Sequence, residues 1–202
     1  MTQHYPTALA AGAALLALLG CSSSPVSLSL AETPIVPAVS GIVTTPHAVQ
    51  IIMAPTIDVR PAYQRTGVGH IGGREVVARE LLVWIDRSLQ TLHGYHYTVR
   101  PDGDAQAWHV TPRLRQFYTA SVAVSKNANV VLELEIQAPG NAALTRIYRG
   151  RVNAVNWWNS AREIEDSVVE ALRDCLSRIG KDLDALVQME PATVEAKPPT
   201  SN

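Results

Sequence analysis

The stretch NVVLELEIQ, residues 129–137, decides the fold class because its apolar and polar residues alternate. The apolar residues that would share one face of a strand are Val130, Leu132, Leu134 and Ile136. The other face carries Val131, Glu133 and Glu135, so we expect it to face water or a partner. The pattern therefore predicts one strand of an antiparallel sheet that is backed by helices on one side.

Further strand candidates flank this segment on both sides. Residues 108–121 contain Pro112, which predicts an edge position or a bulge. Residues 144–155 complete a hairpin after a Gly-Asn loop, and residues 47–55 and 95–99 are shorter candidates. The antiparallel strand is therefore expected to belong to a larger sheet.

Two segments repeat apolar residues every three to four positions, as amphipathic helices do. The first covers residues 75–93, with Gly94 at the position of a helix C-cap. The second covers residues 161–188, and Ser160 with Glu163 has the pattern of a capping box at its start. The sequence thus predicts an α+β fold, a two-layer sandwich of a mostly antiparallel sheet packed against two amphipathic helices.

The N-terminal part predicts export and lipidation. Residues 8–19 form an apolar run that is shorter than the about 20 residues of a transmembrane helix but fits the core of a signal peptide. The following Leu18-Leu19-Gly20-Cys21 resembles the bacterial lipobox, in which the cysteine thiol accepts a diacylglyceryl group. We expect cleavage before Cys21, with covalent diacylglycerol and an N-acyl chain such as palmitate on this residue.

One feature departs from the usual signal peptide, because no Lys or Arg precedes the apolar run. An uncleaved anchor or a different translation start is the alternative interpretation. The chain has two cysteines, Cys21 and Cys175. Because acylation of Cys21 would leave Cys175 without a partner, no intramolecular disulfide is expected.

Composition divides the chain into four parts. Residues 1–20 are the predicted lipoprotein signal peptide, and residues 21–46 are a flexible tether rich in Ser, Pro, Ala and Thr. Residues 47–188 are the α+β globular domain, and residues 189–202 are a disordered tail. The formal net charge of −1 and the lack of a basic block give no support to electrostatic binding of nucleic acid or anionic lipid.

Few side chains suggest a binding role. Trp157 and Trp158 lie between the last strand and the last helix, either as one core ring and one cover for the helix start or as an exposed anchor for a partner protein. Cys175 falls on the apolar face of the second helix and is predicted to be a small buried hydrophobe, with a reactive or intermolecular thiol as the alternative. Asp58 and Arg60 can pair as ions.

Motifs for catalysis or cofactors are weak. GVGHIGG, residues 67–73, fits G-x-G-x-x-G but does not directly follow a strand, so we expect a mobile loop. The five histidines after the signal peptide lack a third ligand nearby in sequence. Glu133 and Glu135 are explained as the solvent face of a strand. We therefore predict no catalytic residue, no metal and no cofactor beyond the lipid on Cys21.

Several motifs together resemble a known family. They are the lipobox, DVRP after the first strand, LHGYHYTVRPDG at the end of the first helix, YRGRVNAV in the last strand, and IEDSVVEALRDCLSRIGKDLDAL in the closing helix. This set is similar to the YajG family of bacterial outer-membrane lipoproteins over residues 48–187. The resemblance implies a lipid-anchored periplasmic domain related in general shape to accessory lipoproteins of transport systems, and it carries over no catalytic residue.

We therefore expect a non-catalytic lipoprotein of the outer membrane that faces the periplasm and contacts the bilayer through its acylated N-terminus. Ser22 after the lipidated cysteine favours the outer membrane under the known sorting signals. The protein would be an accessory component of a cell-envelope assembly, binding an unidentified envelope protein through its sheet face, an edge strand or its Gly-rich loop. Alternatives are a carrier or sensor of a small apolar ligand, which predicts a closed cavity, and a hydrolase, which needs converging catalytic groups.

Overall fold

A computed structural model describes residues 24–30, 48–100, 103, 106–122, 124–155 and 160–189. The strands are β1 (Val26–Leu28), β2 (Val49–Met53), β3 (Ile57–Asp58), β4 (Gly69–Ile71), β5 (Arg74–Ala78), β6 (Tyr97–Arg100), β7 (Trp108–Val122), β8 (Ser125–Gln137) and β9 (Leu144–Val155). The helices are α1 (Leu81–Gln90) and α2 (Ala161–Met189), and Ala62–Gln64 forms a short 3-10 helix.

One mixed sheet contains all nine strands. Its centre is the antiparallel meander β7–β8–β9, which has the longest ladders. The other edge of β7 is shared by three short parallel strands, β2 at its start, β3 in its middle and β4 near its end. Strand β6 extends the sheet beyond β2, and the β4–β5 hairpin carries β1 at its edge.

Both helices pack on the same face of this sheet. Directly opposed residues of neighbouring strands share a face, and Val130 is opposite both Phe117 and Gly150. The ring of Phe117 meets Trp84 of α1 edge to face, with 6.2 Å between the ring centroids. Gly150 lies against Ala171 of α2. The predicted α+β architecture of a sheet packed against two helices is therefore confirmed.

Gly150 lets α2 approach β9 at backbone distance. A Cβ atom at this position would lie 1.8 Å from the carbonyl oxygen of Ala171 and 2.7 Å from the backbone nitrogen of Cys175. Both are backbone atoms of one helix, so a larger residue could be accommodated only if the helix moved away from the sheet. The contact therefore determines how closely the two layers pack.

The elements with long periodic patterns are confirmed. Strands β8 and β9 and helix α2 match the predicted segments, and the predicted capping box is present. The backbone nitrogen of Glu163 donates to Ser160 Oγ at 3.2 Å, and the nitrogen of Ser160 donates to the Glu163 carboxylate at 3.4 Å. Pro112 lies on the central strand β7 rather than at an edge, and a bulge follows within that strand between Leu114 and Gln116.

The first predicted helix is wrong in its N-terminal part. Residues 74–78 form strand β5, and α1 begins only at Leu81. Gly72 and Gly73 have φ values of 56° and 75°, which suits the tight turn that joins β4 to β5. The two valines of β5 favour a strand because they are β-branched. Helix α1 ends before Gly94, which is therefore not its C-cap.

The predicted mobile loop at residues 67–73 is also wrong, because it contains β4. The pairing of β4 with β7 is parallel, with Gly69 opposite Thr119. The polar segment before it holds β3 and the 3-10 helix. Strands of two or three residues are too short to produce a recognisable hydrophobic period, so the sequence pattern did not reveal them.

The predicted flexible tether, residues 21–46, contains an ordered strand. Strand β1 pairs in parallel with β5, with Val26 opposite Val76. Leu28 and Leu30 are fully buried in the core. The alternation in VSLSL predicts such a strand, but the serine-rich composition suggested a tether instead. The signal peptide and residues 190–202 of the predicted tail lie outside the described residues.

The substitution Gly150→Ala is expected to lower the free energy of unfolding by roughly 3 kcal/mol, because the added methyl group meets fixed helix backbone. Urea unfolding followed by tryptophan fluorescence measures this loss. Gly73→Ala is the matched control, since nothing lies within 4 Å of its Cβ position and only its φ of +75° opposes the change. We expect about 1 kcal/mol there. Equal losses in the two variants would contradict the close-packing account.

Candidate docking surface

The second face of the β7–β8–β9 meander has no helix of the described residues packed on it, and we call it the open face. Strand register brings together side chains from three strands on this face. They are Arg113, Arg115 and Tyr118 of β7, Val131, Glu133 and Glu135 of β8, and Ile147, Arg149 and Arg151 of β9. The alternation of β8 predicts that its two glutamates share this face and meet water or a partner. Both lie on this face, but only Glu135 is exposed to solvent, because Glu133 is buried.

Two ion pairs cross from β7 to β8 on the open face. Arg113 Nη2 donates to Glu135 Oε2 at 2.7 Å, and Arg115 Nε donates to Glu133 Oε2 at 2.7 Å. The bulge after Leu114 adds a residue to β7 and so re-aims the side chains that follow it. Glu133 is only 5% exposed while Arg115 is half exposed, so the arginine covers the carboxylate. Such pairs at the surface add little to the free energy of folding, but they hold the charged side chains in position on this face.

Large apolar side chains are exposed beside these charged residues. Ile147 is 56% exposed and Tyr118 is 42% exposed, whereas Val131 between their strands is buried. Aromatic and apolar groups surrounded by arginines are typical of protein–protein interfaces. The arrangement of the open face is therefore suited to binding a protein surface.

A cleft of about 210 Å³ adjoins the open face at Tyr118. It lies along β7 between the pairings with β3 and with β4, where no described strand pairs with this edge. The 3-10 helix lies at this gap and contributes Tyr63, whose side chain is 79% exposed. The remaining lining residues are Gln64, Gly67, Gly69, His70, Glu75 and Phe117. The cleft extends the candidate docking surface beyond the meander.

A second cleft lies on the helix side, between the last turn of α2 and the strands β7, β8 and β9. Its volume is about 350 Å³. Its lining is mostly apolar and consists of Trp108, Ile136, Ala138, Asn141, Ala142, Leu144, Leu186 and Met189. It opens to solvent, whereas the carrier hypothesis predicted a closed cavity between helices and sheet.

The three residues predicted to anchor the protein or bind a partner lie outside the described residues. They are Cys21, Trp157 and Trp158, so their roles stay predictions. Cys175 is described and is fully buried, and its burial raises the pKa of the thiol to about 12. The prediction that Cys175 is a small buried hydrophobe is confirmed.

Asp58 and Arg60 form the predicted ion pair, and it has two hydrogen bonds between side chains. Arg60 Nε and Nη2 donate to the two carboxylate oxygens at 3.0 and 2.8 Å. Burial favours a higher pKa for Asp58, but the hydrogen bonds and charge of Arg60 outweigh it and hold the pKa below its usual value. Because Arg60 is only 3% exposed, the pair is a structural element of the β3 end rather than a surface for ligands.

The described histidines do not form a metal site. His96 Nδ1 lies 3.3 Å from Asp184 Oδ1 and 2.9 Å from the amide nitrogen of Gln188, so this side chain fastens the start of β6 to α2. His70 lines the smaller cleft. Within the described part of the chain, no group of three or more His, Cys, Asp and Glu side chains could hold a metal ion. No helix among those residues is long and apolar enough to cross a membrane.

Comparison with known proteins identifies structures of similar shape but low identity. No family model matches the chain, and no curated protein matches it. A DUF330 protein from Xanthomonas campestris is 11% identical over 81% of this chain and 96% of its own, with a TM-score of 0.48. A Helicobacter pylori homolog of a neuraminyllactose-binding hemagglutinin is 10% identical over 77% and 96%, with a TM-score of 0.43.

A minor lipoprotein from Acinetobacter baumannii is 6% identical over 69% of this chain and 90% of its own, with a TM-score of 0.37. All of these TM-scores are below 0.5, so the resemblances carry no argument about the role of this chain. The resemblance to the YajG family stays a prediction, and the functional argument depends on the residues of the chain itself.

The arginines of β9 were not predicted as site residues. Their signal is present in LTRIYRGRVNAV, where strand alternation separates Ile147, Arg149 and Arg151 from Tyr148 and Gly150. Because Tyr148 and Gly150 are buried under α2, the other set necessarily points to the open face. Recognising this requires knowing which face of β9 the helix covers.

Cys175 is expected to resist thiol reagents in the folded protein, because burial both shields it and keeps it protonated well below pH 12. In a Cys21→Ser variant it is the last remaining thiol, and a maleimide dye at about pH 8 should label it only after urea unfolding. Adding Ile147→Cys to this variant provides a positive control that reacts in the folded state. Rapid labelling of folded Cys21→Ser protein would contradict the burial.

Proposed function

We propose that the chain is a non-catalytic, lipid-anchored protein of the bacterial outer membrane that faces the periplasm and docks an envelope protein on its open face. The lipobox at Cys21 supports the anchor, and Ser22 supports the outer membrane as its destination. Strand β1 begins only a few residues after Cys21, so the anchored domain would lie close to the bilayer rather than at the end of a long tether.

The composition of the open face carries the docking proposal. Ile147 and Tyr118 expose apolar surface next to arginines whose glutamate partners are already in place. An interface of this kind needs little rearrangement on binding, because strands and ion pairs hold the side chains in position. The preformed surface favours a protein-binding role over catalysis.

Two other docking surfaces that the sequence left open receive less support. The exposed edge of β9 is partly guarded, since the backbone nitrogen of Arg151 donates to Asp174 Oδ2 of α2 at 3.3 Å. The Gly-rich segment is not a free loop, because β4 within it pairs with β7. The sheet face is therefore the surface that we propose for the partner.

The absence of catalysis is part of this proposal. His96 and Asp184 form the one His–carboxylate pair of the described residues that lies within 4 Å, and their further hydrogen-bonding partner is the amide of Gln188. An amide supplies neither a nucleophile nor a proton acceptor of suitable basicity. These contacts are explained by their role in joining α2 to the start of β6.

Photo-crosslinking in the native envelope tests the docking proposal. p-Benzoylphenylalanine replaces Ile147 on the open face or, as the control, Glu170, which is exposed on α2. We expect one crosslinked product of defined size from position 147 in the lipidated protein and its loss in the Cys21→Ser variant. The proposal is wrong if position 147 gives no product or if position 170 gives the same one.

A second candidate is a carrier or sensor of a small apolar ligand, favoured by the apolar cleft of about 350 Å³. The dye N-phenyl-1-naphthylamine is the probe, and its fluorescence should rise on binding. Ala142→Trp places a ring in the cleft and is expected to remove most of the signal, whereas Val155→Trp places the same ring on an exposed strand end and should not. A signal that persists in the Ala142→Trp variant, or no signal from the unaltered protein, rejects this candidate.

A further inference from the structure

The two arginines of β9 on the open face lack acidic partners. Arg149 is directly opposite Val131, and Arg151 is directly opposite Asn129. Both side chains are exposed, and neither lies within ion-pairing distance of a carboxylate in the part of the chain that the structure describes. The residues directly opposite these two arginines on β8 are therefore uncharged.

The two glutamates of β8 already form ion pairs with arginines of β7 and do not pair with Arg149 or Arg151. Glu133 is the diagonal neighbour of Arg149, but its carboxylate is nearly buried and accepts from Arg115. Glu135 accepts from Arg113. The described open face thus carries four arginines and two glutamates, which leaves a surplus of two positive charges on β9.

The surplus positive charge is confined to the two arginines of β9. The whole chain has a formal net charge of −1, so no long-range attraction pulls it onto anionic surfaces. Arginine presents a planar fork of donors that binds carboxylates through two hydrogen bonds, and the described open face has no lysine. The exposed Ile147 beside the pair offers apolar contact, which a protein segment can complement.

We infer that the open face binds an acidic segment of its partner protein, with carboxylates of that segment paired to Arg149 and Arg151 and apolar side chains packed on Ile147. This inference rests on the docking function proposed above. The docking proposal says only that a protein binds the open face. The inference adds that the bound segment of this protein is acidic. An anionic membrane surface is the competing occupant that the experiment must separate from an acidic protein.

Fluorescence anisotropy of labelled peptides tests the inference on the full chain in mild detergent. One peptide alternates Glu and Val, and its matched control alternates Lys and Val. Binding is compared between about 0.02 M and about 0.2 M NaCl, since exposed ion pairs weaken as salt rises. Vesicles of phosphatidylglycerol form a third arm.

The main variant is Arg149→Ala with Arg151→Ala. Its control is Arg162→Ala with Arg178→Ala, which removes the same charge from exposed positions on α2. A third variant, Arg149→Lys with Arg151→Lys, keeps the positive charge and reveals whether the alanine variant fails for structural reasons.

We expect the Glu-Val peptide to bind at low salt, the Lys-Val peptide not to bind, and the main variant to lose about tenfold in affinity. The α2 control should stay within about twofold, and the lysine variant should recover part of the affinity, because lysine keeps the charge but lacks the planar fork of donors. Equal binding of both peptides, an unchanged main variant, or a lysine variant as weak as alanine overturns the inference. Vesicle binding that depends on the two arginines without peptide binding also overturns it, in favour of a membrane surface.

The crosslinking experiment separates this failure from failure of the docking proposal. If the main variant retains the product crosslinked at position 147, the open face is still a docking surface and only the acidic partner is wrong. If the unaltered protein gives no product there, the docking proposal fails together with the inference.

Discussion

The fold depends on the contact between Gly150 of β9 and the backbone of α2 at Ala171 and Cys175. A strand residue without a side chain lets the long helix lie directly on the β8–β9 ladder, and the capping box fixes where that helix begins. Helix α1 joins it on the same side through Trp84 and Phe117. Because both helices pack on one face, no helix of the described residues covers the other face of the meander. The candidate function follows from this asymmetry.

An exposed sheet must avoid unspecific pairing, and this one does so in two ways. Its face is filled by ion pairs between β7 and β8, which the bulge in β7 helps to position. At its β9 edge, Asp174 of α2 accepts a hydrogen bond from the backbone nitrogen of Arg151, so this backbone group is not available to another strand. The accessible groups that take no part in these ion pairs include the side chains of Tyr118, Ile147, Arg149 and Arg151. We propose that this set of exposed groups makes the surface selective for a particular kind of partner.

The sequence predicts the elements whose period extends over many residues. Strand β8 and helix α2 have such patterns, and both match the structure. Strands β1, β3 and β4 are only two or three residues long, so their parallel pairing depends on distant segments that no local pattern reveals. The predicted helix extends wrongly into β5, because Ala78 continues the apolar spacing of α1. The glutamates of the open face were predictable from alternation, whereas the role of Arg149 required knowledge of the face that α2 covers.

Solvent accessibility in intact envelopes tests the central claim that the open face is a docking surface. The measurement is maleimide labelling of Ile147→Cys and, as a reference, Glu170→Cys on α2, compared between native envelopes and purified protein. The buried Cys175 should add no background. The account predicts that position 147 is labelled in purified protein but protected in envelopes, while position 170 is labelled in both. Equal labelling of position 147 in the two preparations would contradict the account.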